Sequence, residues 1–169
     1  MYHHKLKTMR GFTFLEVMVV LLIVGLLAVV FRPSSRPLIE GMRLRSSAFN
    51  IKSQILTAKT RAVANPKVHC GVYFDMVSTT HSSLLFFDNG SGSDYRYATG
   101  DGLYVAAQKL PKGISFQSYT SSHPDPNARA IVFRGDGSAK YNATIVIKNS
   151  YGKTKTIDVL ASTGRIRMQ

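Results

Sequence analysis

From Phe12 to Phe31 the chain runs twenty residues with one ionisable side chain, Glu16. At 1.5 Å rise per residue this is about 30 Å of helix, the thickness of a bilayer's hydrocarbon core. A cleavable secretory signal would have a shorter apolar core and a small-x-small site beyond it, and Val30-Phe31-Arg32-Pro33 offers none. A buried helix of a globular core would rarely lack a polar face altogether. A membrane-spanning helix over 12–32 is therefore the expected element. A carboxylate within it costs about 2.5–3.5 kcal/mol at mid-bilayer and less near the edge. Glu16 needs a partner or a task, unless it snorkels to the headgroups. Flanking charge does not orient the span, because Arg32, Arg36, Arg43 and Arg45 rival Lys5, Lys7 and Arg10.

Pro33 and Pro37 should break or kink the helix just past the span. Helical periodicity then resumes. Leu44, Ala48, Ile51, Ile55, Ala58 and Ala62 recur at spacings of three and four, one stripe of an amphipathic helix. Arg43, Arg45, Lys52, Lys59 and Arg61 lie off the stripe, and Asn65-Pro66 closes the helix. From residue 67 the pattern turns to strands. Val68–Phe74, Leu84–Phe87, Leu103–Ala107 and Ile114–Phe116 are apolar and bounded by turn residues. Segments 88–94 and 118–127 read as loops, the first without the spaced carboxylates of a calcium site. Ala130–Gln169 reads as three or four antiparallel strands, with alternation at Ile131/Phe133, Ile145/Ile147 and Ile157/Val159. The predicted class is α+β, a long N-terminal helix packed on antiparallel sheets, with a kinked amphipathic helix over 33–66 and a β-rich domain over 67–169.

Composition adds three constraints. Cys70 is the sole cysteine, so no internal disulfide helps the fold. It reads as a small buried strand residue, and its neighbour His69 should face the other way, which disfavours a shared metal. The histidines (His3, His4, His69, His81, His123) form no motif, and no paired carboxylates or phosphate loop mark a catalytic centre. Thr79-Thr80-His81-Ser82-Ser83 reads as a polar turn. No enzyme, cofactor or metal is expected. Finally, 22 basic residues face 9 acidic ones. Such an excess favours an anionic partner, whether nucleic acid, lipid headgroups or polysaccharide, or else keeps a solvated face soluble.

Gly11-Phe12, Glu16 as fifth residue after the glycine, and the apolar run resemble the class III signal of type IV pilins and type II secretion pseudopilins. The resemblance implies a leader of residues 1–11, cut after Gly11 by a prepilin peptidase on the cytoplasmic side of the membrane. Phe12 would become the methylated N-terminus and Glu16 the carboxylate that docks the subunit among other pilins. It also implies a single pass through the bacterial inner membrane, contact with its lipid, and a globular part outside the cytoplasm. Many pilins carry a C-terminal disulfide loop, which a single cysteine cannot form. Val132-Phe133-Arg134-Gly135-Asp136-Gly137, followed by two strands and Gly164-Arg165, is similar to the domain of H-type pseudopilins and the minor pilins FimT and FimU.

At the C-terminus Arg165 and Arg167 sit two apart. In a strand they share a face at about 6.6–6.8 Å, with Ile166 and Met168 on the other. Guanidinium pairs at that spacing suit adjacent phosphates, and Lys148, Lys153 and Lys155 on the preceding hairpin would widen the patch. A charged, soluble edge strand is the alternative. Gly164-Arg165-Ile166-Arg167 resembles the Gly-Arg-x-Arg signature of FimT-type pilins, which implies sequence-tolerant DNA binding in natural transformation. A terminal Gly-Arg is frequent in H-type pseudopilins too, which implies instead a structural filament-initiating subunit that binds no DNA.

Overall fold

The computed structural model describes residues 12–31, 35–78, 80–88, 95, 97 and 101–169. They fall into two compact units, 1–38 and 39–169. The first contains helix α1, Phe14–Phe31. The apolar run begins two residues earlier, but Thr13 takes the cap position, and its Oγ1 accepts the Glu16 N–H at 3.3 Å. At 18 residues α1 measures about 27 Å. Among the described residues no helix is long and apolar enough to cross a membrane. The helix is nonetheless apolar all round, and Val17 through Val30 leave their large side chains 47% exposed or more.

Helix α2, Ser35–Ala64, follows. Pro37 lies in its first turn, where a backbone N–H has no helical acceptor, so it opens the helix and does not break it. Pro33 lies outside the described residues. The expected stripe is observed: Leu44, Ala48, Ile51, Ile55, Ala58 and Ala62 are all at most 3% exposed. The Asn65 N–H still reaches Arg61 O at 3.0 Å, and Pro66 then ends the helix.

Eight strands make two antiparallel sheets. Strands β1 (His69–Asp75), β2 (Ser82–Asp88), β3 (Gly102–Lys109) and β5 (Ala130–Phe133) form one, in order β3-β2-β1-β5. Strands β4 (Ile114–Ser121), β6 (Ala143–Asn149), β7 (Thr154–Leu160) and β8 (Arg165–Met168) form the other, in order β4-β6-β7-β8. The α2 stripe, Val72, Phe74, Ile131 and Phe133 of the first sheet, and Ile145, Ile147, Ile157 and Val159 of the second close one core. Each Val, Leu, Ile and Phe among them contributes about 1.5–3 kcal/mol by leaving water, the alanines less. The protein is thus α+β, with helix α2 packed against antiparallel sheets.

Two strands depart from the expected pattern. Strand β4 runs on to Ser121, through a segment expected to be loop. A register shift between Phe116 and Ser118 absorbs Gln117, and Ser118 through Ser121 then pair with β6. Tyr119 fastens this extension by donating to Ala130 O at 2.8 Å, and burial pushes its hydroxyl pKa up to about 12. Ser82 and Ser83 are not in a turn: they open β2, pair with Asp75 and Phe74 of β1, and are buried. The loop expected over 88–94 falls outside the described residues from 89 on.

Candidate assembly segment and basic C-terminal face

Gly11 lies outside the described residues. Phe12 is 82% exposed and stands two residues before α1. Glu16 is in the first turn, where a carboxylate favours the positive end of the helix dipole. Thr13-Phe14-Leu15-Glu16 has the spacing of a capping box, with Thr13 Oγ1 accepting from the Glu16 amide. Sequence reasoning missed this, although a Thr three residues before a Glu at the head of an apolar run was available to find it.

The second basic element is strand β8. Its alternation is as predicted. Arg165 and Arg167 are exposed, while Ile166 and Met168 pack on the core. Register with β7 pairs Leu160 with Arg165, Val159 with Ile166, Asp158 with Arg167 and Ile157 with Met168. Two backbone bonds, Thr156 N–H to Gln169 O at 3.1 Å and Gln169 N–H to Thr156 O at 2.9 Å, hold the end of the strand. The arginines therefore project from the outward face of the second sheet, at its edge.

The hairpin lysines do not all join them. Lys148 pairs with Thr154, so it shares the outward face with Thr144 and Val146. From the register it lies two strands and four residues from Arg167, about 16 Å away. Lys153 belongs to the turn between β6 and β7. Lys155 pairs with the buried Ile147 and has the parity of Ile157 and Val159, so register places it on the opposite face from the arginines. What stands beside Arg167 is an acid. Asp158 is its cross-strand neighbour, and its Oδ1 accepts from Thr144 Oγ1 at 2.7 Å.

The base of β8 is built by glycines and Lys59. Gly164 has φ +57°, and a Cβ there would overlap the carbonyl oxygen of Gly137. Gly137, itself at φ +80°, closes the turn Arg134–Ser138 by donating to Arg134 O at 2.9 Å. Asp136 fixes that turn: its Oδ1 accepts from the Ser138 amide at 2.8 Å and hydroxyl at 2.6 Å, which hold its carboxyl below the usual range. Lys59 of α2 donates to Thr163 O at 3.1 Å and Gly164 O at 3.0 Å. Gly164 is therefore a packing residue, and Lys59 is a cation that sequence reasoning did not place here.

Cys70 is fully buried, and its Sγ lies 3.9 Å from Tyr104 Oη. Burial raises its thiol pKa. His69 faces the other way and meets the Tyr95 ring edge-on at 5.0 Å. Among the described residues no three His, Cys, Asp or Glu side chains are grouped to hold a metal ion.

Residues 6–31 match the family model of the prokaryotic N-terminal methylation motif. The match takes in Gly11, Phe12 and Glu16 and marks the chain as type IV pilin-like, with other pilins and a prepilin peptidase as the implied partners. No curated protein and no solved structure matches the chain.

Proposed function

We propose that this chain is a minor type IV pilin. It is cut between Gly11 and Phe12, anchored in the inner membrane by α1, and docked into a pilus through Glu16. The methylation motif over 6–31 carries this reading. Agreeing with it, α1 exposes apolar side chains all round, a surface that lipid or neighbouring helices must cover. As to cargo, Arg165 and Arg167 would grip DNA backbone phosphates as FimT-type pilins do, so that the subunit serves DNA uptake. Binding of this kind is sequence-tolerant and falls steeply with salt.

Two observations favour the structural alternative, an H-type pseudopilin or FimU-like subunit that initiates a filament. Gly164 is explained entirely by its packing on Gly137, and Arg167 has a carboxylate opposite it, so Gly-Arg need not concern DNA. Mobility-shift titration of the mature chain in detergent against duplex DNA separates the two. The DNA reading expects Arg165→Gln/Arg167→Gln to weaken binding at least tenfold at low salt. Asp158→Asn should strengthen it two- to fivefold by removing the opposing charge, the range of an exposed pair. Binding absent at low salt, or indifferent to the arginines, leaves the filament-initiating role.

A further inference from the structure

A second polar site lies at the far end of the same sheet. The turn leading into β4, the β6–β7 turn and the residue before β2 enclose an open pocket of about 520 Å³ lined by His81, Gly113, Ser115, Lys148, Asn149 and Ser150, among others. Asn149 is its distinctive member. It is 4% exposed, and its Oδ1 accepts from the amides of Tyr151 at 3.1 Å and Lys153 at 2.9 Å. Those two bonds fix the amide plane, yet Nδ2 is buried with no acceptor. Nδ1 of His81 is likewise buried and unpartnered. A buried donor left without an acceptor costs about 1–3 kcal/mol, which a ligand oxygen would recover.

We propose that this pocket binds a single phosphate group. The Lys148 ammonium and the Asn149 amide come from consecutive residues at the end of β6 and the Ser115 hydroxyl from the facing position of β4, while the Ser150 hydroxyl already donates to Gly113 O at 3.2 Å. A tetrahedral phosphate offers three acceptor oxygens to such a set, where a planar carboxylate offers two. Lys112 and Lys153, next to the lining residues in the chain, add positive charge. Two acids lie nearby. Glu40 crowds Gly113 from the α2 side; its Oε1 is bound by Arg43 at 2.9 Å, while its Oε2 is buried without a hydrogen-bond partner. Asp75, which is electrostatically coupled to His81, is held by the Ser78 hydroxyl at 2.7 Å. The phosphate is either free inorganic phosphate or the headgroup of a phospholipid. Lys148 serves this pocket, about 16 Å from Arg167 by register, so the site is independent of the arginines.

The test is titration of the mature, isotope-labelled chain in uncharged detergent with inorganic phosphate, followed by NMR of the Asn149 side-chain amide and the His81 ring. Saturable shifts at both groups are expected. Asn149→Asp keeps the acceptor that forms the turn but replaces the donor by an anion, and it should weaken phosphate at least tenfold. Lys148→Gln, at an exposed position that cannot unfold the sheet, should weaken it several-fold, while Arg165→Gln/Arg167→Gln should leave it unchanged. Shifts that do not saturate, or that persist at wild-type strength in both Asn149→Asp and Lys148→Gln, overturn the proposal. Adding short-chain phosphatidylglycerol identifies the source: competition with phosphate assigns the lipid headgroup, and its absence assigns free phosphate.

Discussion

Gly164→Ala is expected to destabilise the 39–169 unit by about 3 kcal/mol or more. A non-glycine residue in the left-handed region costs roughly 1–2 kcal/mol, and the added Cβ would also meet the Gly137 carbonyl, which is backbone and cannot rotate away. The Arg134–Ser138 turn or the Lys59 bonds to Thr163 and Gly164 must yield. For a unit of this size, thermal unfolding in detergent should fall by roughly 10 °C. Gly152→Ala is the control. Its φ is +77° with nothing within 4 Å of a built Cβ, so it should cost only the conformational strain, roughly 1–2 kcal/mol. Equal losses at the two positions would mean that the packing of Gly164 on Gly137 contributes nothing.

Glu16→Val should leave that unit's stability unchanged and abolish incorporation into filaments. On the proposed reading, the carboxylate pairs in the apolar filament core with the amino terminus that cleavage creates on a neighbouring Phe12. Removing one partner of a buried ion pair typically costs about 3–5 kcal/mol, because the other charge stays behind unpaired. Incorporation should drop about a hundredfold or more, counted by immunoblot of sheared filaments against the membrane fraction. Glu16→Asp should recover part of it. Full incorporation of Glu16→Val would reduce Glu16 to its other visible role, at the head of α1 beside the Thr13 cap.

These two residues mark the range of what the sequence makes legible. The apolar run and the α2 stripe follow from period alone, because a residue's side of a helix depends only on its neighbours in the chain. The two faces of β8 were legible for the same reason: Arg165 and Arg167 alternate with Ile166 and Met168. The same alternation, extended back from Ile157, would have put Lys155 on the inward side. Register was not legible. That Asp158 stands opposite Arg167 depends on the turn between β7 and β8, and the Lys59 bond to Gly164 joins residues 105 apart. Strand β4 was underestimated because Gln117-Ser118-Tyr119-Thr120-Ser121 is polar, and its pairing comes from β6 and not from its own pattern. The pocket was only partly legible: Lys148 and Asn149 are adjacent in the chain, but Ser115 and His81 reach it through the pairing of β4 and the position of β2.

The most direct measurement is the mass and N-terminal sequence of the chain recovered from cells that hold a prepilin peptidase. The account predicts a protein that lacks residues 1–11 and begins with N-methylated Phe12, and a full-length protein when the peptidase is absent. A chain that keeps its leader in the peptidase's presence, or is cut beyond Phe31 as a secretory signal would be, would contradict it.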